Sequence, residues 1–196
     1  MRKETKKTPK LVLVAKGIAK GKKAVKISWN KVSGASRYVI YMGKANKKAK
    51  KVKTVSAKKL NWTKKKLKKK TAYKFYVVAQ KKQNGKYKKP VKSKVGYFFT
   101  GNASGKRTNP KALKLKKSKL TLNKGKTATI KATVTKVKKG KKLATNYARK
   151  LRFVSSMPSV AKVSSKGKVT AKAKGTATIY VQTINGIWKT VKVTVK

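Results

Sequence analysis

Lysine dominates the reactive side chains of this 196-residue chain. Fifty-five lysines and five arginines stand against one carboxylate, Glu4, and there is no Asp, His or Cys. That inventory excludes a Ser-His-Asp triad, a Cys-His pair and the usual metal-ligand sets. One Glu supplies no carboxylate pair for glycoside hydrolysis. A lysine–asparagine cross-link would need a buried carboxylate to assist it. Glycines neighbour lysines throughout, yet no G-x-x-x-x-G-K-[ST] phosphate loop is present. No catalytic residue, metal site, cofactor or small-molecule substrate is expected, and the chain is read as a non-enzyme.

What remains is charge. The formal net charge is +59, and lysine is densest in three clusters. The first is Lys64, Lys65, Lys66, Lys68, Lys69 and Lys70, around a lone leucine. The second is Lys138, Lys139, Lys141 and Lys142, around Gly140. The third is Lys47, Lys48, Lys50 and Lys51. A field of this strength recruits polyanions without regard to sequence. Lysine is a compact point charge, whereas arginine forms planar bidentate contacts to bases and phosphates. The bias toward lysine therefore predicts binding by charge density, with no helix-turn-helix, zinc-finger or basic-zipper pattern to read bases. Tyr87, in G-K-Y-K-K-P, could stack a base, but fits a hairpin better. Self-repulsion must also weaken the compact state, so salt or a bound polyanion is expected to raise stability.

The elements that position these lysines are strands. From Ala72, the residues Tyr73, Phe75, Val77 and Ala79 alternate with Lys74, Tyr76, Val78 and Gln80, the period-2 pattern of a half-buried β-strand. The same reading gives strands at Leu11–Val14, Val25–Trp29, Tyr38–Met42, Val52–Val55, Leu60–Thr63 and Val95–Thr100. In the second half it gives Leu113–Leu115, Leu120–Leu122, one long strand across Ala128, Ile130, Ala132 and Val134, then Leu151–Phe153, Val160–Val163, Ala177–Val181 and Val191–Val195. Asn84-Gly85 and Asn185-Gly186 are hairpin-turn signals. Helix signals are absent. The expected fold is all-β, two tandem immunoglobulin-like β-sandwiches. A basic disordered tail covers 1–8, the first sandwich 9–100, a polar linker 101–109 and the second sandwich 110–196. Residues 9–100 hold 30 Lys and Arg and residues 108–196 hold 24, so the charge belongs to the scaffold rather than to a basic arm.

The first half resembles a fibronectin type III domain. The residues that carry the likeness are Trp29 in V-K-I-S-W-N-K-V-S-G-A, Tyr38 in S-R-Y-V-I-Y, and the L-x-x-x-T-x-Y-x-F-x-V-x-A run from Leu67 to Ala79. The resemblance implies that Trp29 fills the core and that Tyr73 makes a corner hydrogen bond. The second half is similar to a bacterial immunoglobulin-like domain of group 2. Its markers are S-V-A-K-V-S, G-K-V-T-A-K-A-K-G-T-A-T-I from Gly167 to Ile179, and the V-K-V-T-V ending, with Phe153 where a tryptophan is usual. Roles of these families that need carboxylates, such as calcium binding, do not carry over. Lysine-rich tandem modules of this kind resemble non-catalytic parts of surface or secreted proteins of Gram-positive gut bacteria, which implies an extracellular or cell-surface setting.

No run reaches the roughly 18 apolar residues of a membrane span. The apolar stretch Leu11–Ala15 is too short for a signal-peptide core, so the chain is expected either to stay inside or to be a fragment or mature form. Two functional readings follow. One is a non-catalytic, monomeric module that holds anionic polymers: teichoic acid, acidic glycans or an anionic membrane surface. The alternative is a cationic nucleic-acid-binding or cell-penetrating protein, directed to a host nucleus or built as a supercharged delivery scaffold.

Overall fold

The computed structural model describes residues 9–196, so the tail at 1–8 lies outside the described residues. Apolar residues at every second position of short segments form two β-sandwiches. The first contains β1 (Ala15–Lys20), β2 (Ala24–Trp29), β3 (Arg37–Lys44), β4 (Lys50–Ser56), β5 (Asn61–Lys64), β6 (Ala72–Gln83), β7 (Lys86–Lys92) and β8 (Gly96–Phe99). One sheet has the order β1-β2-β5. The other has β4-β3-β6-β7, with β8 also paired to β6.

Trp29, Tyr38, Phe75, Val77 and Phe98 lie in the core between these sheets. Phe75 needs unusual room, because a Cβ at Gly96 would fall 2.4 Å from its ring and one at Gly17 2.6 Å. Two strands thus give up side chains to seat one aromatic ring. The Asn84-Gly85 turn is the expected hairpin: both residues have positive φ, 48° and 75°, as a type I′ turn requires.

The N-terminal strand differs from expectation. Leu11–Val14 is not in a sheet, and pairing starts at Ala15. Its backbone is held by a side chain instead. Asn30 Oδ1 accepts from the Val14 N–H at 2.8 Å, and Asn30 Nδ2 donates to the Val12 carbonyl at 2.9 Å.

Residues 101–109, the polar stretch between the sandwiches, carry short elements of their own. A 3-10 turn at Thr100–Asn102 is followed by β9 (Ala103–Ser104) and β10 (Arg107–Thr108). Thr108 and Asn109 are buried. Asn109 replaces a strand partner, since its Oδ1 accepts from Phe99 N–H at 2.7 Å and its Nδ2 donates to the Phe99 carbonyl at 2.8 Å.

The second sandwich holds β11 (Pro110–Leu115), β12 (Lys119–Leu122), β13 (Thr127–Thr129), β14 (Ala132–Lys136), β15 (Lys142–Leu143), β16 (Arg152–Ser155), β17 (Ala161–Val163), β18 (Lys168–Ala171), β19 (Gly175–Gln182) and β20 (Trp188–Val195). β12 runs parallel to β20 in the sheet β12-β20-β19-β16, and the remaining strands form the pair β11-β14 and the three-stranded sheet β13-β18-β17. The long strand expected over 128–134 is broken. β13 pairs with β18 and β14 pairs with β11. Ile130 and Val134 remain buried across the break, so side-chain alternation survives while the hydrogen-bond partner changes.

The two sandwiches pack on one another. Gly17 N–H donates to the Asn185 carbonyl at 2.8 Å, and Tyr97 N–H donates to the Ile184 carbonyl at 2.9 Å. Gly186 lies hard against the first module: its φ is +84°, and a Cβ there would fall 1.9 Å from the Ala15 carbonyl oxygen.

Candidate functional site

The largest lysine cluster sits on a braced loop. Leu67 is its plug, buried at 6% exposure, while Lys65, Lys66, Lys68, Lys69 and Lys70 are exposed and Lys64 is half-buried. The backbone reverses through left-handed residues on both sides of the plug, Lys66 at φ 57° and Lys70 at φ 46°. Such geometry costs a non-glycine residue about 1 kcal/mol or more, and three anchors hold it. Leu67 N–H donates to the Lys23 carbonyl at 2.8 Å. Lys68 N–H donates to the Tyr73 hydroxyl at 3.0 Å, which is the corner hydrogen bond implied for that tyrosine. Thr100 Oγ1 donates to the Lys68 carbonyl at 2.7 Å.

Sheet register brings part of another cluster to the same end. Lys44 pairs with Tyr73, and Ala45 N–H donates to the Ala72 carbonyl at 2.9 Å. The turn carrying exposed Lys47 and Lys48 therefore lies beside the end of the Lys64–Lys70 loop. Lys50 and Lys51 are on β4 opposite Met42 and Tyr41, so the strand leads them away from the turn. The β1–β2 turn adds Lys22 and Lys23, both exposed, through the Leu67–Lys23 bond. Sequence density alone missed these two, because a pair of lysines is unremarkable until three turns meet at one pole.

The remaining cluster is in the second module, against the connector. Lys138 N–H donates to Thr108 Oγ1 at 3.2 Å, Lys142 N–H to the Lys106 carbonyl at 3.0 Å, and Lys141 Nζ to the Gly105 carbonyl at 2.6 Å. Lys141 is thus committed within the fold, whereas Lys138, Lys139 and Lys142 are exposed. The connector also contacts the first pole, since Gly101 N–H donates to the Gly21 carbonyl at 3.1 Å.

No carboxylate side chain faces these lysines among the described residues, because Glu4 is the only one in the chain. Two aromatic contacts lie elsewhere on the first module. Tyr41 and Tyr76 stack at 4.7 Å between centroids, with Lys92 Nζ 3.9 Å from the Tyr76 ring. Tyr87 is in the hairpin strand β7, and the Arg37 guanidinium covers one ring face at 3.2 Å.

The other strong cation is enclosed. Arg152, on β16, donates to the carbonyls of Val95, Thr183 (2.7 Å) and Ile184 (3.2 Å), so one guanidinium ties both modules together. Burial pushes its pKa down to about 10, which leaves it charged at neutral pH. Neighbouring Lys94 is lowered by burial and then by Arg152. Sequence gave no sign of this role, because Arg152 sits at an alternating position with no motif around it.

Two immunoglobulin-like sandwiches, with no side-chain carboxylate among the described residues, define the class of the molecule. Residues 111–195 match the family model of the bacterial Ig-like domain (group 2), so the second module resembles that family. The first resembles a fibronectin type III domain in its two antiparallel sheets, β1-β2-β5 and the one centred on β3 and β6, and in its tyrosine corner. Solved structures similar to the chain include a computer-redesigned β-sandwich protein, 19% identical with a TM-score of 0.36, covering 46% of this chain and 87% of that one. Another is the fn3 domain of human contactin 1, 20% identical with a TM-score of 0.37, covering 52% and 82%. No curated protein matches the chain.

Proposed function

We propose that this is a non-catalytic cationic module that holds anionic polymers at the pole of its first sandwich. The observation that carries the reading is the convergence of three lysine-bearing turns, 21–23, 44–49 and 64–70, braced by Leu67 and Tyr73. A braced loop presents its charges without the ordering cost that a free lysine-rich segment would meet on binding. Bacterial Ig-like domains of group 2 are common in surface and extracellular proteins, which supports an extracellular setting and polymers such as teichoic acid or acidic glycans.

The test is affinity against salt for duplex DNA, heparin and a teichoic acid in parallel. Replacing Lys64, Lys65, Lys66, Lys68, Lys69 and Lys70 with glutamine is expected to reduce the salt slope by up to about five for duplex DNA. An unchanged slope removes the pole from the binding surface. Selective retention of teichoic acid or heparin at about 0.15 M salt, where the Debye length is about 8 Å, supports the surface-module reading. Selective retention of DNA instead favours the nucleic-acid-binding alternative.

A further inference from the structure

Away from the pole, an open groove of about 600 Å³ runs between segment 10–13, the end of β7 and β16 of the second module. Its size is within the range of small-ligand sites. Its floor is apolar, built from Leu11, Leu13, Val91 and Val154. Leu11 is 47% exposed, the most exposed large hydrophobic residue among those described. Polymer binding by charge density has no use for such a floor.

The rim is cationic. Lys10 and Lys94 line it. Lys92 lines it too, but its ammonium is engaged with the Tyr76 ring. Next to Lys94 stands Arg152, whose guanidinium spans the junction while its Nε is buried with no hydrogen-bond partner. Buried charge is ordinarily paired with its opposite, and the described residues contain no side-chain carboxylate to do so. Arg152 is carried by the three carbonyls it donates to, but Lys94 on the rim has no side-chain carboxylate to pair with among the described residues, and an apolar floor beside it fits a ligand with one anionic head and one hydrocarbon chain.

We propose that this junction groove binds a single-chain anionic amphiphile, its head at Lys94 and its chain along Leu11, Val91 and Val154. The site is separate from the pole and does not rest on the polymer-binding reading. The head can belong to a free carboxylate or to a lipid, since both present the same chemistry.

Calorimetric titration of the full chain with dodecanoate and with butyrate, below micellar concentration in about 0.15 M salt, tests the assignment. Each buried methylene strengthens binding up to about fourfold. Dodecanoate is therefore expected to bind one equivalent at least about a hundredfold more tightly than butyrate. Lys94→Gln is expected to weaken dodecanoate about tenfold, and Leu11→Asn, at a half-exposed position, to weaken it several-fold without unfolding the sandwich. The glutamine variant of the pole loop should leave it unchanged. Absence of dodecanoate binding overturns the proposal. So does equal affinity for butyrate, binding of many equivalents, or a loss in the pole variant as large as that in Lys94→Gln.

Discussion

At the pole, five exposed lysines surround the buried Leu67, and solvent carries the cost of their mutual repulsion. At the junction, Arg152 is largely enclosed, and three carbonyls from both modules carry it instead. Both regions solve the same problem, positive charge in a chain with no side-chain carboxylate among its described residues. The pole keeps its charges in water, where a polyanion can replace counterions. The junction spends its charge on hydrogen bonds to neutral acceptors, which are stronger when the donor is ionised. The difference explains why one side uses lysine and the other arginine. A guanidinium has five donors in a plane and can reach several carbonyls at once.

The largest way to break this contrast is at Gly186, where the backbone meets the first module. In Gly186→Val, the new Cβ would meet the Ala15 carbonyl and the residue would be held at φ +84°. Both effects force the modules apart. Hydrogen exchange at the Gly17 and Tyr97 amides, which donate across the junction, is expected to accelerate about a hundredfold, near 3 kcal/mol. Unchanged protection at both amides would show that the modules do not depend on this contact. The next effect is Arg152→Met, which keeps an apolar stem and removes the donors. The stranded carbonyls cost about 1–3 kcal/mol each, and relief of a buried charge offsets part of that. A net loss of about 2 kcal/mol is expected in urea unfolding; a gain would mean that the charge strains the junction rather than holding it.

How much of this was readable in the sequence depends on the kind of signal. Tyr73, Phe75, Val77 and Ala79 announced the core strand because burial on one face of a strand imposes period 2. Tyr73 was also legible as a corner, through its place in the Leu67–Ala79 run. Leu11–Val14 misled because its apolar residues look strand-like, yet Asn30 satisfies its backbone from 16 and 18 residues away. In the 101–109 stretch the composition showed polarity but not burial: Thr108 and Asn109 are buried with their polar atoms bonded to Asn102 and Phe99. Arg152 and Lys94 gave no signal at all. Periodicity reports which face is apolar, not which distant carbonyl or charge a polar side chain will meet.

A smaller effect separates shape from charge at the pole. Tyr73→Phe deletes the hydroxyl that accepts from Lys68 while leaving every lysine in place. About 1 kcal/mol of stability is expected to be lost in urea unfolding, with the salt slope for DNA unchanged because the charge count is the same. If the slope fell as far as in the six-glutamine variant, the bracing, rather than the number of charges, would govern binding.

The smallest effect sharpens the junction side. Burial, with Arg152 adding to it, holds Lys94 below its ordinary value of 10.5. Between the folded value and 10.5 the unfolded chain binds more protons than the folded one, so stability rises as pH climbs through that window. Below the folded value the penalty is present in full. Every lysine that loses its proton also relieves the general repulsion, so the whole protein is expected to melt higher at pH 10 than at pH 8. Arg152, held down to about 10 by burial, adds to that rise in parent and variant alike, so the contribution of Lys94 is the difference between the two. Lys94→Gln should therefore show a smaller rise than the parent, measured by melting temperature in the same buffers. An equal or larger rise in the variant would mean that Lys94 is as well solvated as the lysines of the pole, and that Arg152 stands at the junction without a second cation beside it.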